Sequence, residues 1–234
     1  MRMGIRMGSI GAMRRELGLA GVANWAKKSG FEVLDVARLD DEVAAVLKDA
    51  GLSVGTFDVS SVGALMSNDQ DRRAEAVATV QNEMEIAARN GGTVMFVCLI
   101  PEDGTMPRRE SFAIWRESFP AIVKKAEELE IKIAMEPYPG SAPYFPTLGC
   151  TPEMWRAMFE AVDSPALGIC FDPSHLVRLG IDYLRAFEEF GDRVHHVHLK
   201  DCEICEEGRY RYGYLGETFA RRYSYGGGYW RYCI

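Results

Sequence analysis

The chain has 234 residues and a formal net charge of −7, with 47% hydrophobic and 26% charged residues. That is an ordinary globular composition with enough apolar residues for a large core, and the length allows one large domain or two small ones. The negative balance argues against a nucleic-acid partner, whose binding draws on cationic side chains meeting phosphates. No apolar stretch approaches the length of a membrane span, and the mixed start from Met1 to Met7 lacks the apolar core of a secretory signal. The six cysteines lie mostly in apolar runs and read as reduced core thiols, which makes the cytoplasm the expected compartment.

Apolar runs and amphipathic segments alternate along the chain. Residues 5–10 read as a first strand and 19–29 as a helix, with Val22, Trp25 and Ala26 on one face and Gly30 closing it. A second strand is predicted at 31–36, a helix at 41–50, a third strand at 52–59 and a long helix at 72–90. Ala76, Val80, Met84 and Ala87 recur in that helix at helical spacing. The run 93–100 is continuously apolar, as strands buried on both faces are. A helix at 110–130 precedes strand five, which ends at Glu136. Thr151 is a good N-cap for a helix at 152–162. Strand six ends at Asp172, a helix follows at 183–190, and strand seven is 194–200. From 202 to 234 the chain is rich in Tyr, Gly and Arg, with no clear helix and no eighth strand. Cys202 and Cys205 form a C-x-x-C pair, but a zinc ribbon needs a second pair, so this one reads as incidental.

This βα repetition at barrel spacing predicts an α/β fold, a (β/α)8 TIM barrel with the eighth strand missing from this chain. Residues 1–234 are expected to form one TIM-barrel domain, C-terminally incomplete, because a closed barrel needs eight strands. A doubly wound sheet is the competitor. Its Gly-rich phosphate loop is only weakly suggested by Gly8-Ser9-Ile10-Gly11.

Three strands carry chemistry at their C-terminal ends. Strand five ends Met135-Glu136-Pro137. Strand six ends Phe171-Asp172-Pro173-Ser174-His175. Strand seven is Val194-His195-His196-Val197-His198-Leu199-Lys200 and leads to Asp201. Strict alternation puts His196, His198 and Lys200 on one face and His195, Val197 and Leu199 on the other. A lone buried carboxylate is costly unless it is paired or binds a cation, and imidazole is a common ligand for divalent transition metals. Each carboxylate alone also suits a helix N-cap or a turn. Barrel active sites lie where these residues lie, at the C-terminal ends of the strands.

These motifs resemble the sugar phosphate isomerase/epimerase superfamily, the xylose isomerase-like TIM barrels. The matching pieces are Met135-Glu136-Pro137, Phe171 to His175, and His196-Val197-His198-Leu199-Lys200-Asp201, with weaker support from Asn68 to Arg73. The resemblance implies a divalent metal ion, Mn, Mg, Co or Zn, held by Glu136, Asp172 and His198, with a fourth ligand, a glutamate of strand eight, beyond Ile234. It implies Glu136, His175 and Lys200 as catalytic residues and His175, His196, Lys200 and Arg231 as contacts to substrate. The expected function is isomerisation or epimerisation of a small sugar, ketose or polyol, by proton transfer at a carbon next to a carbonyl through a metal-stabilised enediolate. A keto-polyol dehydratase, an apurinic-site endonuclease-like nuclease and a catalytically inactive truncated barrel are the alternatives. Trp230 and Tyr144 read as core packing or as an apolar wall of the site. A homo-oligomer is compatible with this reading.

Overall fold

Seven short parallel strands carry the architecture. The computed structural model describes residues 2–141, 144–214 and 229–232, the last two of these by backbone alone. The strands are β1 (Gly4–Arg6), β2 (Val33–Val36), β3 (Ser53–Asp58), β4 (Val94–Val97), β5 (Lys132–Met135), β6 (Leu167–Phe171) and β7 (Val194–Val197). They pair in sequence order, β1 to β7, each parallel to the next. The helices between them are α1 (Gly11–Lys28), α2 (Asp41–Asp49), α3 (Gln70–Arg89), α4 (Arg108–Glu128), α5 (Pro152–Ala161), α6 (Pro173–Arg178) and α7 (Tyr183–Phe190). The sheet is curled, as the TIM-barrel expectation requires, and among the described residues no eighth parallel strand joins it.

Alternation along each strand divides the core in two. Outward residues such as Leu34, Phe57, Met95, Ile133, Met135 and Leu167 pack against Val22, Leu47, Val80, Met84, Phe119 and Ile122 of the helices. Ile169 and Phe171 of β6 form a smaller cluster with Trp155, Leu176, Ala186 and Phe190. The inward apolar cluster is small, with Phe96, Ala134 and Cys170 fully or nearly buried. The rest of the inner face is polar. Arg6 of β1 forks onto Asp58 of β3 at 3.0 and 2.8 Å, with its guanidinium 4.0 Å from the Phe96 ring centroid. Asp35 of β2 meets His196 of β7 across the curl at 3.1 Å.

Two irregularities in the ladder set these contacts. Between β2 and β3, Leu34 pairs with Val54 and Val36 with Phe57, so β3 carries an extra residue beside Asp35. Between β6 and β7, Ile169 pairs with Val194 and Cys170 with His196, so β7 carries an extra residue at His195. A bulge places two residues opposite one and turns their side chains from strict alternation. His195 therefore lies across Gly168, which alternates with outward Leu167 and Ile169, and its Nδ1 is 3.0 Å from the Ile133 carbonyl. The expectation that His195 faces away from His196 fails for this reason.

Other differences from the sequence reading are local. The first strand stops at Arg6, and Met7–Ile10 forms a 3₁₀ turn into α1. The helix expected at 19–29 is the second half of α1, which breaks at Gly18, where φ is 66°. Strand seven is shorter than 194–200, although the His198 N–H still donates to the Phe171 carbonyl at 3.0 Å. The stretch after Lys200, read as having no clear helix and no eighth barrel strand, contains β8 (Cys202–Ile204), α8 (Glu206–Tyr212) and β9 (Trp230–Tyr232), none of which joins the seven-stranded sheet. β8 and β9 pair antiparallel as a separate two-stranded sheet. Elements of three residues leave no hydrophobic period to read. Cys202 and Cys205 are free thiols, and Cys205 caps α8.

Gly168 tests the packing of β6 on β7. A Cβ there would sit 2.3 Å from the Arg193 carbonyl oxygen and within 2.6 Å of the His195 ring. Gly168→Ala should therefore destabilise the fold by about 1–3 kcal/mol, which lowers Tm by about 2–4 °C per kcal/mol in a domain of this size. Calorimetry that finds Tm unchanged would contradict this packing.

Candidate active site

The C-terminal ends of β5, β6 and β7 bring the predicted side chains to one mouth of the curled sheet. Glu136 follows β5, and its N–H donates to the Val97 carbonyl at 2.9 Å. Alternation with inward Ala134 turns its carboxylate inward, and Pro137 ends the ladder. Its Oε1 lies 2.8 Å from His198 Nδ1 and 3.7 Å from His175 Nε2. Its Oε2 accepts from the Cys98 thiol at 3.1 Å.

Asp172 follows β6 and caps α6. Its Oδ1 accepts from the Ser174 N–H at 3.0 Å and from the Ser174 hydroxyl at 2.6 Å. Pro173, at the first helical position, fits this cap. The tight Asp-Pro-Ser-His entry then places His175 on the first turn of α6, buried, with Nε2 3.5 Å from Asp172 Oδ2. The N-cap role and the site role thus coexist in Asp172, one on each oxygen. Lys200 completes the group. Its ammonium is 2.8 Å from Asp172 Oδ2 as an ion pair and 3.0 Å from His175 Nε2, to which it donates.

Three sets of potential ligand atoms lie within 4.8 Å of one another: Glu136, Asp172 and His175; Glu136, Cys170 and His198; and Asp35, His196 and His198. Glu136 belongs to the first two and His198 to the last two. Glu136, Asp172 and His198 are thus linked through Glu136, and no one of these sets contains both Asp172 and His198. Of the other predicted residues, Trp230 is buried with its ring 6.1 Å from that of His175, and Tyr144 is exposed. Arg231 pairs through its backbone with Glu203 in β8, and its side chain lies outside the described residues. The sequence reading missed Asp35, Cys98 and the Arg6–Asp58 pair. The available signal was Asp35 itself, a carboxylate within the apolar run Val33-Leu34-Asp35-Val36.

A family model described as xylose isomerase-like TIM barrel matches residues 13–233. The chain belongs to that family. Solved members of the same fold include D-psicose 3-epimerase from Clostridium cellulolyticum H10. It is 18% identical with a TM-score of 0.68, over 86% of this chain and 73% of that one. Mannonate dehydratase from Streptococcus suis serotype 2 superposes with a TM-score of 0.69 at 13% identity, over 87% and 72% of the two chains. A stretch of 84 residues, 36% of this chain, is 39% identical to the uncharacterized protein YfiH of Bacillus subtilis (strain 168), and covers 25% of that protein's length. No helix among the described residues is long and apolar enough to cross a membrane.

In this xylose isomerase-like barrel the site suits a divalent cation. His175 Nδ1 and His198 Nε2 are buried without a hydrogen-bond partner, and Asp172 Oδ2 is met by the Lys200 ammonium at 2.8 Å, so the carboxylates and imidazoles of the site do not fully satisfy one another. Carboxylate and imidazole together form a mixed N/O set compatible with Mn²⁺, Mg²⁺, Co²⁺ or Zn²⁺.

The electrostatics follow from the same geometry. Burial pushes the Glu136 carboxyl up, but the His175 and His198 imidazoles outweigh it and hold it well below the usual range. Burial likewise opposes ionisation of Asp35, and the hydrogen bond from His196 with the nearby His198 imidazole holds it below its ordinary value. Burial opposes charge on His198, yet Asp35, Cys170 and Glu136 together push it up to about 12. The depressed carboxylates contribute stability that is complete above their unfolded values of about 4 and is lost as pH falls through their folded values. The raised His198 contributes stability that is complete below about pH 6.5, its unfolded value, and is lost progressively as pH rises toward its folded value. This network therefore stabilises the metal-free protein most between about pH 4.5 and 6.5. Urea unfolding in the presence of a chelator should show wild type more stable at about pH 5.5 than at about pH 8.5. The difference should narrow in His198→Gln, and an unchanged difference in that variant would refute the assignment to His198.

Proposed function

We propose that this protein is a divalent-cation-dependent isomerase or epimerase acting on a small sugar, ketose or polyol by proton transfer at a carbon next to a carbonyl. The observation that carries the reading is Glu136: a nearly buried carboxylate at the barrel mouth, held between the imidazoles of His198 and His175. The family membership supports it, and the similarity in fold to a sugar epimerase and to a sugar-acid dehydratase is consistent with it.

Glu136 and Asp172, with His198 or His175, would hold the cation. When bound, the ion supplies positive charge against the substrate oxygens on which negative charge develops. Glu136 removes the proton from the carbon next to the carbonyl; isomerisation follows when it returns that proton to the former carbonyl carbon while the hydroxyl proton moves between the two oxygens, and epimerisation when another group protonates the original carbon from the opposite face. A carboxylate held ionised is in the correct state for the first of these steps. His175 and Lys200 donate to substrate oxygens. Lys200 also balances the Asp172 charge at 2.8 Å, so a neutral substrate meets a site whose charges are already largely paired. Arg231 is assigned to the substrate as well, and His196 acts through Asp35. A cytoplasmic, self-associating enzyme is part of the same reading.

Solvent exchange is the direct test. Wild-type protein supplied with Mn²⁺ should exchange the proton next to the carbonyl of at least one member of a ketose panel in D₂O, followed by NMR. Glu136→Gln should slow that exchange by about 10²–10⁴-fold. No exchange on the panel, or equal exchange in Glu136→Gln with equal Mn²⁺ content, would overturn the reading. Asp172→Ala and His198→Ala should each lose bound Mn²⁺ on dialysis, as measured by elemental analysis, because each removes a large part of a small ligand set. Retention equal to wild type in both would argue against this cation site.

A further inference from the structure

Asp35 is a carboxylate on the inner face outside the ligand set proposed above, and the fold makes specific room for it. It is nearly fully buried in the middle of β2. Its Oδ1 accepts from the Thr56 N–H at 2.7 Å, in the stretch of β3 that carries the extra residue. Gly55 opposes it: a Cβ at that position would lie 2.1 Å from Asp35 Oδ1. The bulge and the glycine thus hold the carboxylate in one orientation, with Oδ2 pointing across the barrel to β7.

Two imidazoles meet that oxygen. His196 Nε2 is 3.1 Å away and bonded, and His198 Nε2 is 3.7 Å away. The His198 ring reaches in the opposite direction with Nδ1, 2.8 Å from Glu136. Its Nε2 is buried and makes no hydrogen bond. Closing the gap to Asp35 from 3.7 Å to the 3.1 Å already made by His196 is a 0.6 Å adjustment. An imidazole that ligates a metal through one nitrogen nearly always donates its other N–H to a carboxylate, carbonyl or water, which fixes the tautomer and the ring plane. Around His198, Asp35 is the carboxylate facing Nε2.

We propose that Asp35 is a positioning residue for the cation site. It accepts the His198 Nε2–H, so that Nδ1 is the nitrogen presented beside Glu136, and it holds His196 in register as the second donor to the same oxygen. This inference rests on the cation reading of the site above. It adds a residue of β2 to a machinery otherwise built from β5, β6 and β7, and it gives Gly55 a functional reason.

The test measures Mn²⁺ affinity by titration calorimetry in wild type, Asp35→Asn, Asp35→Ala and Gly55→Ala, with the Tm of each protein taken in chelator and in saturating Mn²⁺. Asp35→Ala is expected to weaken Mn²⁺ binding by about 10–100-fold, the usual cost of losing an outer partner of a ligand. Asp35→Asn keeps the volume but cannot accept on both oxygens, and is expected to weaken binding in the same direction. A merely structural role would lower Tm in chelator and leave the increment on adding Mn²⁺ unchanged; the proposal requires the increment itself to shrink. In ¹⁵N NMR of the wild type loaded with Zn²⁺, His198 should be ligated through Nδ1 with a protonated Nε2. Unchanged Mn²⁺ affinity in Asp35→Asn and Gly55→Ala, or ligation through Nε2, would overturn the role of Asp35 while leaving the cation reading intact. Failure of the wild type to bind Mn²⁺ or Zn²⁺ at all would overturn both.

Discussion

A chain of buried carboxylates and imidazoles crosses the inside of the curled sheet, and the rest of the structure is arranged around it. Asp35 meets His196 and His198, His198 meets Glu136, Glu136 lies near His175, and His175 and Lys200 meet Asp172. Taking any one of these charges out of water alone costs several kcal/mol (about that per ion). Together they offset one another, since each carboxylate has an imidazole or ammonium within reach. Removing one member leaves its neighbour buried and unpaired, which costs more than the pair contributes. The arrangement therefore specifies the geometry of the barrel interior more strongly than it stabilises the fold. Stability comes from the outer face, where Trp115, Phe119, Met84 and Leu34 are among the fully buried side chains.

The polar interior needs backbone that regular parallel strands do not supply. At β2–β3 the extra residue and Gly55 admit the Asp35 carboxylate. At β6–β7 the extra residue and Gly168 admit the His195 ring beneath His196. In both places a glycine faces a polar side chain of the neighbouring strand, and a bulge interrupts the pairing beside it. The Arg6–Asp58 pair occupies the β1–β3 side of the same interior, with the guanidinium lying on Phe96. Phe96 also contacts the His198 ring, at 5.2 Å between centroids. Arg6 and His198 thus lean on one aromatic residue of β4.

The repeated βα units were legible because parallel strands buried on both faces are short continuous apolar runs, and here the helices between them carry clear caps and apolar spacing. Glu136, Asp172 and the histidine run stood out because each breaks such a run at its end, next to proline in two cases. Asp35 did not stand out, since one aspartate in a four-residue strand looks like a turn residue until the partner 161 positions away is known. The face of His195 was misjudged because a bulge shifts the period-two pattern and leaves no mark in composition. The β8–β9 pair escaped for the simplest reason: two strands of three residues contain no period, and their pairing spans the 25 residues between Ile204 and Trp230. Trp230 nevertheless reaches His175 through that pairing, so a segment without a sequence signal closes one wall of the site.

On the proposed reading, the distinction between isomerisation and epimerisation turns on what faces Glu136, not on Glu136 itself. Glu136, Asp172 and His175 present their ligand atoms within 4.8 Å of one another, and on the proposed reading they would act from one side of a bound substrate. A proton taken from one carbon and returned on the same face to the neighbouring, former carbonyl carbon moves the carbonyl along the chain. Inversion requires a second acid–base group on the opposite face. The resemblance assigns that group to a glutamate of an eighth strand, while the described residues supply His198, Lys200 and the Asp35 relay around the first. On the proposed reading the network on β2, β5, β6 and β7 would be common to both reactions, orienting the imidazole and keeping the carboxylate ionised. The group opposite decides only where the returning proton lands.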